Sequence, residues 1–229
     1  MSAERFRQVE GDQDDDPAPD ARALRLLGAD PWDLKIVREL LFGPRTEREV
    51  RRALPDPAAG VLPDRLEQLV TRGIAGPSAG SEVRYGLTTR GAGLRATLVE
   101  LVRWGHHLPV TVPGATGAAA TLLELLAWYR PLPGHAAPGR VTLRLAADSF
   151  EVEASADGVE IRRGPGTALA GSRLTTDVAT LRAVLFGPLS LAAALEHRMA
   201  RLDGSAAPLY ALAAVLPRPV RVPAQPAAR

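Results

Sequence analysis

Arg45, Arg48, Arg51 and Arg52 crowd into one short stretch, and Arg65, Gln68 and Arg84 follow in the next two predicted elements. Guanidinium groups at this density neutralise phosphates well. Such contacts release counterions, set affinity and make it fall with salt, but carry no sequence information themselves. Reading bases needs polar side chains on the first turns of a helix that enters the major groove. The stretch Ala58 to Arg65 stands in that position, with Arg65 and Gln68 as readers. The alternative for the arginines is a solvated basic helix face with no partner.

Catalytic chemistry finds little to use. There is no Gly-x-Ser-x-Gly elbow and no phosphate-binding loop. His106 and His107 are adjacent, so on a helix they point apart and do not chelate as an i, i+4 pair. No catalytic residue, metal site or cofactor is expected, and an enzymatic role is left open. A separate apolar group, Trp128 and Tyr129 and then Leu181, Leu185, Phe186 and Leu195, has core packing as its ordinary role.

Apolar spacing predicts the elements that carry these residues. A helix is expected from Pro31 to Phe42, capped by Asp30 and stopped at Gly43-Pro44. The basic helix follows over Thr46 to Leu54. A third helix buries Val61, Leu62, Leu66, Leu69 and Val70 and closes at Gly73. A hairpin covers Ile74 to Leu87, where Val83, Tyr85 and Leu87 alternate with Arg84 and Gly86. A further helix runs from Thr89 to His107. Its stripe of Leu94, Leu98, Leu101 and Val102 serves as core, as a dimer seam, or as both. Beyond a Pro/Gly linker come a helix (Ala118 to Tyr129), three strands (Val141 to Leu145, Phe150 to Ala154, Val159 to Arg162) and a helix opened by Thr175-Thr176-Asp177. A short helix capped by Ser190, a last strand within Arg198 to Asp203 and a helix from Ala206 to Leu216 follow. The fold class is α+β: a winged helix-turn-helix domain, then a small layer with a largely antiparallel sheet and helices on one face. The division is 1–20 acidic disordered tail, 21–108 winged helix, 109–116 linker, 117–217 second domain and 218–229 Pro-rich disordered tail.

The third helix has a problem at its start. Ala58, Ala59 and Gly60 offer no capping hydroxyl, a loss of roughly 1 kcal/mol. If the helix begins at Ala59, Pro63 is interior and costs about 3 kcal/mol. If it begins at Pro63 the penalty vanishes, but the first turn unwinds and Asp64, Arg65 and Gln68 are the polar residues left. One good bidentate base contact is worth about 1–3 kcal/mol, so losing two or three removes sequence preference. The wing tip, Pro77 to Ser81, is uncharged.

These stretches resemble known families. ARALRLLGADPWDLKIVRELLFGPRTEREVRRALP, VLPDRLEQLVTRGI and EVRYGLTTRG resemble the HxlR group of winged-helix regulators, relatives of the MarR type. The resemblance covers most of residues 21–108. It implies a homodimer on double-stranded DNA, with Arg45, Arg48, Arg51, Arg52, Arg65, Gln68 and Arg84 at the interface. The family's usual N-terminal cysteine is missing, so thiol sensing is not implied. EVEASADGVEIRRG and LTTDVATLRAVLFGPLSLAAALEHRMARLDG are similar to the sterol carrier protein type 2 family over residues 117–217. That implies an apolar tunnel for a lipophilic small molecule, with Trp128, Tyr129, Leu181, Leu185, Phe186 and Leu195 as candidate contacts.

Composition agrees. Residues 1–20 carry 2 Arg against 7 acids, residues 21–110 carry 14 basic against 10 acidic, and the remainder 12 against 9. The winged-helix stretch is therefore mildly basic behind an acidic arm. With no cysteine, no apolar run long enough to span a membrane and no secretory signal, a cytoplasmic protein is expected. The sequence thus points to a ligand-responsive, DNA-binding transcriptional regulator. The alternative is a repurposed small-molecule binding or converting protein that no longer binds specific DNA.

Overall fold

A computed structural model describes residues 30–54, 60–79, 82–108, 116–131, 139–164 and 171–216. The expected tails at 1–20 and 218–229, and nearly all of the linker, lie outside the described residues.

The first half opens with three helices and a hairpin. α1 (Pro31–Leu40) starts where Asp30 accepts the Trp32 N–H at 2.8 Å, with Pro31 pre-set in the first turn. It buries Ile36, Val37 and Leu40, and also two acids, Asp33 and Glu39. α2 (Glu47–Ala53) opens with a capping box. The Glu49 N–H donates to Thr46 Oγ1 (3.2 Å), and the Thr46 N–H donates to the Glu49 carboxylate (2.8 Å). α3 (Val61–Thr71) buries Leu62, Leu66 and Leu69 against α1 and α2. β1 (Ala75–Ser78) and β2 (Arg84–Leu87) pair antiparallel, Ala75 opposite Leu87.

The expected single helix after the hairpin is two: α4 (Thr89–Ala92) and α5 (Leu94–Gly105). Two glycines, Gly91 and Gly93, weaken the helix where it breaks. Gly91 is fixed by space: a Cβ there would overlap the Ile74 carbonyl oxygen. Thr88 caps α4, accepting the Gly91 N–H at 3.1 Å and donating to the Gly73 carbonyl at 2.6 Å. The stretch from Leu87 through Thr88 to Gly91 is therefore a clamp joining the hairpin, the end of α3 and α4.

The second half runs α6 (Ala118–Trp128), β3 (Gly139–Leu145), β4 (Asp148–Ala154), β5 (Val159–Arg163), β6 (Ser172–Thr176), α7 (Val178–Phe186), α8 (Leu191–Glu196), β7 (Ala200–Asp203) and α9 (Ala207–Ala214). The sheet order is β5-β4-β3-β6-β7. Its one parallel pairing is β3 with β6, Val141 opposite Ser172; the other described pairings are antiparallel. β6 was not expected as a strand, because Ser172, Arg173, Thr175 and Thr176 give it no apolar alternation. Its inward positions are Ser172, Leu174 and Thr176, and Asp177 caps the helix that follows. One sheet face buries Val141, Leu143, Phe150, Val152, Ile161 and Leu174, while Arg144, Glu153, Glu160, Arg162 and Arg201 face solvent.

The halves share a seam. α5 packs on α6, and Phe42 meets Phe150 edge-on at 6.1 Å.

Candidate nucleic-acid interface

α2 presents the free charge. Arg48 and Arg52 are exposed, one turn apart on the same side, and have no partner among the described residues. Like charges at that spacing repel, and a bound phosphate relieves the repulsion. Arg51 is half exposed and paired with Glu47 at 2.6 Å. Arg84, on β2, donates to the Pro44 carbonyl (3.0 Å) and to Glu49 (3.1 Å). It ties the wing to the capped end of α2 and remains one-third exposed. Burial pushes the Glu49 carboxyl up, but the Thr46 N–H, Arg84 and Arg45 outweigh it and hold it below its ordinary value.

α3 resolves the question of its first turn in a third way. The helix starts at Val61, with Gly60 as cap at φ 102° and no side-chain cap bond. Only glycine adopts that conformation without strain. Pro63 is then the third helical residue, where the N–H has no intrahelical partner in any case. The sequence keeps its first turn and loses no helix hydrogen bond to proline. Its outward side, however, is Pro63, Asp64, Glu67, Gln68 and Thr71. Two acids, Asp64 and Glu67, without an ion-pair partner among the described residues, sit where a groove-reading helix presents donors.

Arg65 and Gln68, the expected readers, are largely occupied. Arg65 pairs with Asp30 at 2.5 Å and donates to Gln68 at 3.2 Å. Arg72 donates to buried Asp33 at 2.8 Å. These bonds hold α3 on the start of α1. Gln68 itself is exposed, with its carbonyl already accepting from Arg65 and Arg72.

Arg45 is a correction. It was expected on the DNA face, but it is 4% exposed and its guanidinium points into the seam. There it pairs with Glu39 at 2.6 Å and with Asp148 at 3.0 Å. Gly43-Pro44 turns the chain inward before α2 begins, and the buried acid draws the cation after it. Glu39, Asp148 and Arg163 were not anticipated. Glu39 carried a signal, since it occupies an inward helical position next to Leu40.

The apolar candidates are packed, and Trp128 and Tyr129 have their contacts with other elements, His106 and Ser155. Leu181, Leu185 and Phe186 are buried, Leu195 is half-buried, and Tyr129 is buried with its hydroxyl donating to the Ser155 carbonyl at 2.8 Å. Trp128 is half-buried and meets His106 of α5 edge-on at 5.1 Å. A cleft of about 390 Å³ opens elsewhere, between the end of α1, the hairpin and α4, lined by Leu40, Gly43, Pro44, Gly76, Gly86 and Thr88 among others. A shallower depression of about 410 Å³ follows the outward side of α3, along Asp64, Glu67, Gln68, Thr71 and Arg72. Among the described residues no helix is long and apolar enough to cross a membrane.

Comparison with known proteins places the first half. Residues 27–110 match the HxlR-like helix-turn-helix family. An uncharacterised HTH-type transcriptional regulator, YvaP, of Bacillus subtilis is 32% identical over 77 residues, which are 32% of this chain and 71% of that protein. Among solved structures, quinone-bound YodB from B. subtilis is 29% identical, covering 38% of this chain and 94% of that chain with a TM-score of 0.34. A MarR-family regulator of Enterococcus faecalis V583 is 31% identical, covering 37% and 80%, with a TM-score of 0.33. The capped α2, the α3 that follows it, the wing and the Thr88–Gly91 clamp are the features those residues build: the chain belongs to the HxlR-like helix-turn-helix family.

Proposed function

We propose that the protein is a DNA-binding transcriptional regulator whose hold on DNA is dominated by phosphate contacts from α2. The observation that carries this is the contrast of exposed charges: among the described residues Arg48 and Arg52 are unpaired on α2, while Asp64 and Glu67 are unpaired on α3. Arg51 and Arg84 supply further cations at the edge of the same surface. Arg45 does not belong to it, and Arg65 serves α3 packing. Discrimination between sequences is correspondingly small, with Gln68 and Thr71 as the uncharged polar side chains on the outward side of α3. A homodimer is part of the reading. Leu101, Trp104 and Leu108 are exposed along and just past α5, with Trp104 64% exposed, an apolar stripe that a second copy would cover. The protein acts in the cytoplasm on this reading. The test is a titration of duplexes from the gene's own promoter region at about 50 mM salt. Submicromolar binding that falls steeply with salt supports the proposal, and no binding to any such duplex ends it.

The second half is read as the ligand-sensing part, taking a lipophilic small molecule in the sterol-carrier manner. Support comes from the order of helix, three-stranded meander, further strand, helices and last strand, and from an apolar interior that includes Leu181, Leu185 and Phe186. Because those side chains are packed, a ligand enters by displacing them. The acidic side of α3 favours a second reading, in which the protein binds or converts small molecules and has left specific DNA behind. Arg48→Ala with Arg52→Ala separates the two: function survives that change only on the second reading.

A further inference from the structure

The seam between the halves holds four charged side chains that the DNA contacts do not use. Arg45 Nη1 lies 2.6 Å from Glu39 Oε2, and its Nη2 lies 3.0 and 3.2 Å from the two oxygens of Asp148. Arg163 Nη1 approaches the same Asp148 at 2.6 Å, and its Nη2 donates to the Glu39 carbonyl at 3.3 Å. Its backbone N–H donates to the Phe42 carbonyl, and its guanidinium covers the Phe150 ring at 4.5 Å. Arg38 adds a more distant charge, 4.0 Å from Glu39. Two acids and two arginines thus balance in a seam where Glu39 is 1% and Arg45 4% exposed.

Keeping these charges buried is costly. Burial pushes the Glu39 carboxyl up and the Arg163 guanidinium down, against the pull of their partners. A seam already joined by Phe42 and Phe150 does not need them for adhesion, and buried ion pairs are poor sources of net stability. What they add is direction, because a guanidinium fork meets a carboxylate in few orientations.

Arg45 is where that direction is passed on. Its side chain is in the seam. Its backbone exchanges two hydrogen bonds with Tyr85 of the wing, Arg45 N–H to Tyr85 O at 2.9 Å and the reverse at 2.8 Å. The next residue, Thr46, is the cap of α2. One residue therefore touches the second half, the wing and the start of the basic helix. Asp148, its partner, lies 103 residues further along the chain.

We propose that the Glu39–Arg45–Asp148–Arg163 cluster couples the second half to the DNA-contacting elements, with Arg45 as the positioning residue that sets the wing and the start of α2. The proposal rests on the regulator reading for its purpose, and its physical content stands without DNA. A charge change at Asp148 moves Arg45, and Arg45 moves both Tyr85 and Thr46. The C-terminal half thereby has a mechanical hold on the spacing between Arg84 and the Arg48/Arg52 pair.

The test uses the full chain in two arms. In the first, amide hydrogen exchange is followed without DNA in the wild type, Asp148→Asn and Asp148→Glu. Exchange at Arg45, Tyr85 and through α2 rises at least tenfold in Asp148→Asn, stays near wild type in Asp148→Glu, and is unchanged in the core of β3 to β5. Unchanged exchange at Arg45 and Tyr85, or a rise spread equally over both halves, overturns the proposal. Should Asp148→Asn fail to fold, Arg163→Lys, which keeps the charge and loses the planar fork, is judged by the same criteria. In the second arm, a promoter-region duplex that the wild type binds is bound at least fivefold more weakly by Asp148→Asn at equal salt; equal affinity overturns the proposal. A wild type that binds no duplex ends the regulator reading, while the exchange arm still decides the coupling.

Discussion

α2 and α3 are neighbours of similar build with opposite surfaces. α2 is fixed by a two-way capping box and sends Arg48 and Arg52 outward. α3 is started by a left-handed glycine and sends Asp64 and Glu67 outward. α2 and its C-cap bury Val50 and Leu54, and α3 buries Leu62, Leu66 and Leu69, while Val61 and Val70, expected inside as well, stay half-buried at the margin of the core. The difference teaches that packing and reading are separable. A helix keeps its place in the fold through its inward residues, and its outward residues are free to change what it contacts.

The comparison breaks most completely if the shared scaffold fails. Gly91→Ala drives a methyl into the Ile74 carbonyl, and the surrounding clamp is backbone that cannot turn aside. The expected cost is about 3 kcal/mol, the upper part of the usual range for overpacking. Denaturant unfolding checks it, and a wild-type midpoint contradicts the clamp. Removing the free cations comes next. Arg48→Ala with Arg52→Ala lowers affinity for any duplex roughly 10- to 100-fold at about 50 mM salt and flattens the salt dependence by nearly two phosphate contacts, while thermal stability stays put.

Smaller changes sharpen the contrast. Thr46→Ala removes one side of the capping box and costs about 1 kcal/mol, read from unfolding, whereas serine at Gly60 does not add a cap because the backbone there is left-handed. Asp64→Asn with Glu67→Gln raises duplex affinity by roughly three- to tenfold and steepens the salt dependence, since two repelled phosphates come within reach. If that pair of changes leaves affinity alone, the outward side of α3 does not face DNA.

The seam adds a prediction in pH. Glu39 has a raised carboxyl in the folded chain, so the native state takes up its proton more readily than the unfolded chain does. Its contribution to stability is fully present below the unfolded value and is lost as pH rises through the folded one. Asp177 runs the other way. The Thr180 N–H and hydroxyl hold it low, so its contribution is present above the unfolded value and lost as pH falls through the folded one. In Glu39→Gln the first trend vanishes and the second remains, as unfolding midpoints followed from neutral pH down to about pH 2 will show. A Glu39→Gln profile that parallels the wild type rules out a burial cost at that carboxyl.

Much of the fold is legible in the residues. The Asp30-Pro31 start, the Thr46-x-x-Glu49 box and the Asp157-Gly158 turn each have a local cause, so sequence suffices. β6 is not legible, because it is short, polar and held by pairing with β3 and β7 rather than by its own pattern. The start of α3 is half legible: Pro63 excludes a start at Ala59, and only the φ of Gly60 shows that Val61 is first. The site divides in the same way. Arg48 and Arg52 follow from helical phase, whereas Arg45 depends on Asp148, a partner 103 residues away that no local spacing announces.

On the proposed reading α2 supplies the affinity and α3 little discrimination. The most direct test measures binding of a promoter-region duplex and a shuffled duplex of equal length over a range of salt, in the wild type and in Arg48→Ala with Arg52→Ala. The account predicts that the two duplexes differ by no more than about tenfold, well below the 10³-fold or more usual for specific complexes, and that the double variant loses affinity for both alike. A preference of 10³-fold or more that survives the loss of Arg48 and Arg52 contradicts it.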